Sequence, residues 1–288
     1  MSKIDIIYNK SCLPMDEIDN KSVDMIFSDP PFNIGKDYGP RGDRRSDYYE
    51  WCEEWIDKCF QKLKDTGTFY LMTLTRHLEK LFPMLGSRGV FINQVMWRNV
   101  SASHSKRGFW NSYQPILVYG KTKDYIFNTY AQTRTILKKN LRWGGYSTQA
   151  RGQLLDYWDD IPFVYAGSIH HQEAILKPGT NEKAHICQMP IALAVRAILF
   201  STNKGDIISA PFIGSGTTAI ACKRTNRHYI GYEINEHYYN DIILPRLEAE
   251  KTLWDLTKEN QGGNIEKMIN NKTKNLGVLP MKIMNREV

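Results

Sequence analysis

Two hydrophobic periods take turns along most of the chain. Short β-favouring apolar runs at 4–8, 23–27, 68–72, 90–97, 115–119, 207–209 and 229–232 have the length and composition of buried strands. Between them, apolar residues recur at helical spacing. Over 47–64, Tyr48, Trp51, Cys52, Trp55, Ile56, Cys59, Phe60 and Leu63 share one face, with Ser46 as the expected N-cap and Asp65-Thr66-Gly67 as the stop. Further helices are expected near 77–85, over 190–203 with Pro190 in the first turn, over 218–224 and over 237–256, with a short helical turn around 15–18. The segment 191–200 is apolar on most faces, so its helix is predicted to be buried. Strands alternating with helices at this spacing predict an α/β fold built on a doubly wound, mostly parallel sheet.

The alternation fails from 121 to 177, which divides the chain into a first half, 1–120, an insertion, 121–177, a second half, 178–256, and a Lys- and Asn-rich tail, 257–288, expected to be loosely ordered or dependent on a partner. The insertion has no acidic residue from 134 through 151. It carries Arg134, Lys138, Lys139, Arg142 and Arg151, with Trp143 and Tyr146 interleaved among glycines. Cations of this kind neutralise phosphates and aromatic rings stack on bases, which makes these seven residues the expected DNA contacts.

Composition narrows the classes. Hydrophobic and charged fractions of 42% and 24% are those of an ordinary globular protein, while 38 Lys and Arg against 31 Asp and Glu leave a net charge of +7, favouring a polyanionic partner. No apolar run reaches the roughly 18 residues of a membrane span, and the first residues lack the apolar core of a signal peptide, so no membrane partner and a cytoplasmic, nucleoid-associated location are expected. The five cysteines, Cys12, Cys52, Cys59, Cys187 and Cys222, include no CxxC pair and read as buried thiols; no metal site is expected.

Two stretches carry candidate chemistry. After the strand at 23–27, Ser28-Asp29-Pro30-Pro31-Phe32-Asn33 must leave the sheet as a rigid loop, because two successive prolines end strand and helix alike. In an open α/β sheet, chemistry gathers at such strand ends. A carboxylate, carbonyls from two residues without N–H, and an aromatic face suit a nucleobase amine: Asp29 and the Pro30 carbonyl would each take one amine hydrogen while Phe32 stacks on the ring. Read blandly, the same tetrapeptide is a strand-ending turn. The long, polar stretch that follows, 35–47, contains Arg41, Arg44 and Arg45 and is either a cover for a substrate or a solvated loop. Near the other end, Pro211-Phe212-Ile213-Gly214-Ser215-Gly216-Thr217-Thr218 joins a strand to a helix, and Glu233 closes the following strand about seventeen residues after Gly216. Glycines admit a ligand to the helix N-terminus, and an acid at that offset accepts ribose hydroxyls, so the combination points to a nucleoside cofactor.

In this order, catalytic loop first and Gly loop last, the chain resembles the β-class of amino-methylating DNA methyltransferases of the adenine-N6 type. The likeness extends over residues 22–36, Tyr113-Gln114-Pro115-Ile116-Leu117-Val118-Tyr119 and Tyr157-Trp158-Asp159-Asp160-Ile161-Pro162, and in all covers most of 1–250. It implies a Rossmann-like methyltransferase fold with a target-recognition segment at 121–177, S-adenosylmethionine as cofactor, and a flipped adenine in double-stranded DNA as substrate. It further implies catalysis by Asp29, Pro30, Pro31 and Phe32, and cofactor contacts from Ser11, Cys12, Asp29, Pro211, Phe212, Gly214, Ser215, Gly216, Thr217, Glu233 and Asn235. A homodimer and a cognate restriction endonuclease are the partners that family habit suggests. Three positions depart from the pattern: Ala210 where an Asp is usual, Lys10-Ser11 before Cys12 where Gly-Asp is common, and Met189 where a Lys is common. Two alternatives follow: cytosine-N4 methylation, and a DNA-binding homologue with impaired cofactor binding.

Overall fold

The structure, a computed structural model, describes residues 2–38, 42–99, 107–129, 131–139, 146–164, 173–177, 180–185 and 187–250, with backbone placement alone over 133–152. The strands are β1 (Ile6–Tyr8), β2 (Val23–Ser28), β3 (Leu63–Met72), β4 (Val90–Arg98), β5 (Tyr113–Gly120), β6 (Thr133–Lys139), β7 (Tyr146–Gln153), β8 (Tyr157–Trp158), β9 (Ile207–Ala210) and β10 (His228–Tyr232). The α-helices are α1 (Tyr48–Lys62), α2 (Leu78–Gly86), α3 (Ile191–Ser201) and α4 (Thr217–Arg224). After β10, residues 236–250 are helical, with a π-helical stretch at Tyr238–Ile243.

Eight strands form one sheet in the order β1-β10-β9-β2-β3-β5-β4-β8. Alternate residues of each central strand face opposite layers, except that an irregularity between Val23 and Met25 puts these two in opposite layers. Met25, Phe27, Tyr70 and Met72 pack with α3 and α4. Val23, Ile26, Phe69 and Leu71 pack with α1 through Trp55, Ile56 and Cys59, and with α2 through Leu81 and Leu85. A sheet covered on both faces explains the near-continuous apolar strand runs, and it matches the doubly wound expectation. The sheet is mixed: β5 runs antiparallel to both β3 and β4. The link from β4 to β5 contains no helix among its described residues, and without a crossover two neighbouring strands pair antiparallel.

Local departures from the sequence reading have local causes. Residues 15–18 form turns, not a helical turn, with Met15 at φ 67° and Ile18 N–H bonded to the Met15 carbonyl. Asp47, not Ser46, stands at the N-cap of α1, and its carboxylate caps nothing, because it is bonded to the Arg45 guanidinium at 3.1 and 2.7 Å. Strand β3 begins directly after α1, five residues earlier than the expected start at 68.

Within 121–177, β6 and β7 pair antiparallel as a separate two-stranded sheet, Arg134 opposite Gly152 and Lys138 opposite Thr148. Strand β8, by contrast, joins the main sheet beside β4, and Trp158 and Ile161 enter its core. Among the described residues no helix is long and apolar enough to cross a membrane.

Candidate active site

Strand β2 lies between β9 and β3, and the chain departs to opposite sides from this point. The loops that follow β2 and β9 therefore diverge at the carboxyl ends of the strands and leave a crevice between them. A cavity of about 440 Å³ opens there. Its walls take Asp29, Pro31 and Phe32 from the first loop, Pro211, Phe212, Ile213, Gly214, Ser215 and Thr217 from the second, Ser11 and Cys12 from the loop after β1, and Glu233 from the end of β10.

The loop after β2 is held from outside. The Tyr48 hydroxyl, on α1, donates to the Pro31 carbonyl at 2.9 Å. His77 Nε2 donates to the Phe32 carbonyl at 2.9 Å, and its Nδ1 accepts from the Tyr49 hydroxyl at 3.0 Å, which fixes the tautomer. Burial and the Arg76 charge hold His77 below its ordinary range, so the ring is neutral. No described residue donates to the Asp29 carboxylate or to the Pro30 carbonyl. Two successive carbonyls are thus engaged, while the two acceptors just before them have no donor among the described residues. Burial pushes the Asp29 carboxyl up to about 7. Pro30 itself is buried and does not line the cavity.

The second loop is shaped by Gly214 at φ +55° and Gly216 at φ +81°, the latter at the N-cap of α4. The positive φ of Gly214 favours glycine, and a methyl group added there would also make a tight 3.1 Å contact with His185 Nε2. His185 Nδ1 accepts from the Cys187 N–H at 3.3 Å, which leaves the proton on Nε2, and burial with the Arg246 and Lys183 charges pushes this histidine down to about 3. Behind the loop, the fully buried Arg246 donates to the Ser215 carbonyl. Glu233 accepts from the Asn235 N–H at 2.8 Å and from those of Gly214 and Ile234; burial nonetheless raises it to about 7.

Of the residues expected to touch a cofactor, Ser11, Cys12, Asp29, Pro211, Phe212, Gly214, Ser215, Thr217 and Glu233 line this one cavity; Gly216 and Asn235 do not. Asn235 acts from behind, its amide donating to the Tyr38 carbonyl at 2.8 Å. Of the three departures, Ser11 and Met189 are in the cavity wall and Ala210 is buried at the end of β9. Five of the seven expected DNA contacts lie on the two strands of one hairpin. Arg134, Lys138 and Lys139 lie on β6, Tyr146 and Arg151 on β7, and Arg142 and Trp143 fall outside the described residues.

Sequence reasoning missed Tyr38, Trp51, His185, Cys187 and Tyr238 as site residues, all in the cavity wall, and named Arg44 and Arg45 only as part of a stretch that either covers a substrate or is a solvated loop. The Tyr38 hydroxyl hydrogen-bonds to Cys187. Arg44 and Arg45 were visible as a charged stretch after the catalytic loop, whereas His185 and Cys187 carried no local signal. Among the described residues, no group of three or more His, Cys, Asp or Glu could hold a metal ion.

Comparison with known proteins identifies the family. The family model described as DNA methylase, of N6/N4 methyltransferase type, matches residues 23–244. The type II methyltransferase M1.MboII of Moraxella bovis is 30% identical over 268 residues, covering 86% of this chain and 99% of its own. The DNA adenine methyltransferase YhdJ of Escherichia coli is 31% identical over 255 residues, covering 85% and 82%. Among solved structures, the cytosine-N4-specific PvuII DNA methyltransferase superposes with a TM-score of 0.60 at 17% identity, covering 96% of this chain and 94% of its own. A putative DNA modification methylase of Thermus thermophilus, in complex with S-adenosyl-L-methionine, gives 0.55 at 18%, covering 85% and 93%; at these identities the likeness is one of fold. The chain belongs to the N6/N4 DNA methylase family.

Proposed function

We propose that the chain transfers a methyl group from S-adenosylmethionine to the N6 amine of an adenine flipped out of duplex DNA. The observation that carries this reading is the Asp29 carboxylate in the cavity wall: among the described residues nothing donates to it or to the Pro30 carbonyl, on a loop whose next two carbonyls are already bonded. An exocyclic amine offers two hydrogens, and its lone pair is delocalised into the ring. Two fixed acceptors draw those hydrogens out of the ring plane and free the lone pair without a strong base. The base must leave the duplex, because a stacked and paired amine cannot present that lone pair. Phe32 supplies an aromatic face in the same wall.

The residues present fit the cofactor. The Gly214 approach, the acid at Glu233 and the apolar faces of Phe212 and Ile213 together suit a nucleoside bearing a short polar chain. Glu233 would accept from ribose hydroxyls, and the Gly214 to Thr217 turn would hold the amino-acid portion. When bound, S-adenosylmethionine supplies an electrophilic methyl on a neutral leaving group. The protein's part is to position and polarise the amine and to keep the cavity closed by apolar walls. Adenine is favoured over cytosine by the Asp-Pro-Pro-Phe sequence and by YhdJ, a relative named as an adenine methyltransferase. The β6–β7 hairpin, with its basic sequence and its separation from the main sheet, is assigned to DNA contact.

The test is incubation with methyl-labelled S-adenosylmethionine and unmethylated bacterial DNA, followed by digestion to nucleosides. Label is expected on N6-methyladenine and is expected to vanish in Asp29→Ala, with cofactor binding by calorimetry retained. Label on N4-methylcytosine would replace the adenine assignment, and turnover by Asp29→Ala would reject the catalytic loop.

A further inference from the structure

Beside the cavity is a second cleft, lined by Asn33, Ile34, Arg44, Arg45, Ser46 and Arg76. Arg44 and Arg45 belong to both walls, so the two spaces adjoin. The three cations differ in what they already hold. Arg45 is bonded to Asp47 at 3.1 and 2.7 Å and lies over the Trp51 ring, 5.1 Å from its centroid. Arg44 and Arg76 are exposed, and neither has a hydrogen-bonding or acidic partner among the described residues. Arg44 is nevertheless placed: Gly35, at φ +80°, lies so close that an added methyl group would sit 2.7 Å from Arg44 Nε. Two guanidinium groups that line one cleft, with no partner among the described residues, repel each other and gain most from a shared anion.

The cleft is also tied to the catalytic loop by two short routes. Asn33, directly after Phe32, accepts from the Arg45 N–H at 2.8 Å and donates to the Arg45 carbonyl at 3.1 Å. Arg76 immediately precedes His77, the donor to the Phe32 carbonyl. An anion seated here would be held by the same framework that aims Asp29. Planar guanidinium groups match a phosphate in shape and charge, and a nucleotide with its base beside Phe32 carries phosphates on either side of its sugar.

We infer that the Arg44, Arg45 and Arg76 cleft binds a backbone phosphodiester adjacent to the flipped nucleotide. This rests on DNA being the substrate. The site is separate from the β6–β7 hairpin and places a phosphate contact at the catalytic loop itself.

The test is a salt titration of the affinity for a fluorescently labelled duplex fragment of unmethylated DNA. It compares the wild type, the double variant Arg44→Gln/Arg76→Gln, and a control, Lys3→Gln/Lys204→Gln. The control removes the same charge from exposed positions before β1 and β9, at the opposite end of the sheet from the crevice. Loss of one phosphate contact flattens the slope of log K against log salt by about 0.9. That change, with affinity weakened roughly tenfold at low salt and an unaltered melting temperature, is expected for the arginine pair and not for the control. Equal slopes in variant and wild type would overturn the site while leaving the DNA reading intact. No salt-dependent binding by the wild type would overturn the DNA reading itself. Calorimetry with S-adenosylmethionine supplies the remaining arm: lost cofactor affinity with an unchanged DNA slope would give the cleft to the cofactor instead.

Discussion

The Asp29 carboxylate polarises an amine far more strongly when ionised than when protonated, and burial pushes its pKa up to about 7. Activity, read as kcat/KM for DNA, is therefore expected to fall as pH drops through 7, and a flat profile between pH 6 and 8 would sink this role. The same shift acts on stability. The folded pKa lies above the ordinary 3.8, so the folded state keeps a proton that the unfolded chain has released. The cost is absent below pH 3.8, grows as pH rises towards 7, and is complete above it. Asp29→Asn should accordingly melt higher than the wild type at pH 8, by a margin that shrinks at pH 5. His77 gives a second residue-scale expectation. His77→Ala frees the Phe32 carbonyl and should lower kcat roughly tenfold with little change in cofactor affinity; His77→Gln, a neutral donor, should recover part of the loss. Asp29 to Phe32 could be read from sequence because the signal is contiguous. His77 could not, since it reaches Phe32 across 45 residues, and nothing local marks a histidine as a donor to a distant carbonyl.

At the scale of elements, strands and helices were legible wherever the period was strong. The direction of β5 was not, because it depends on pairing with β3 and β4 and leaves no trace in the strand's own residues. The N-cap of α1 was missed for a related reason: an ion pair with Arg45 occupies Asp47, and Ser46 lies one position too early. The β6–β7 hairpin was foreseen as a basic insertion but not as a hairpin, since 121–177 lacks the periodicity that marks the core. It pairs with no strand of the main sheet, so replacing 133–152 by a short flexible linker should leave cofactor affinity and the melting transition nearly intact and abolish DNA binding. Calorimetry and fluorescence anisotropy would check both halves. Loss of cofactor binding in that variant would show that the hairpin supports the catalytic core.

For the whole molecule, the site is a product of topology. Its walls draw on the carboxyl ends of β1, β2, β9 and β10, widely separated along the chain yet made neighbours in the sheet by strand order. Strand β1, at the beginning, pairs in parallel with β10, near the end of the described chain. Asp5 bonds to His228 at 2.8 Å at the start of β10, and Glu250 bonds to Arg224 at 2.7 Å at the end of α4. The α4 helix runs back from the crevice, so residues 5 and 250 share the sheet edge opposite the site. Covalent order is then incidental to the architecture. A permuted chain, opened between β6 and β7 and joined from residue 250 to residue 2 by a short linker, should reassemble the same crevice with its cofactor half preceding its catalytic half. Retained S-adenosylmethionine binding by such a permutant would show that the active site is encoded by neighbourhood and not by sequence direction.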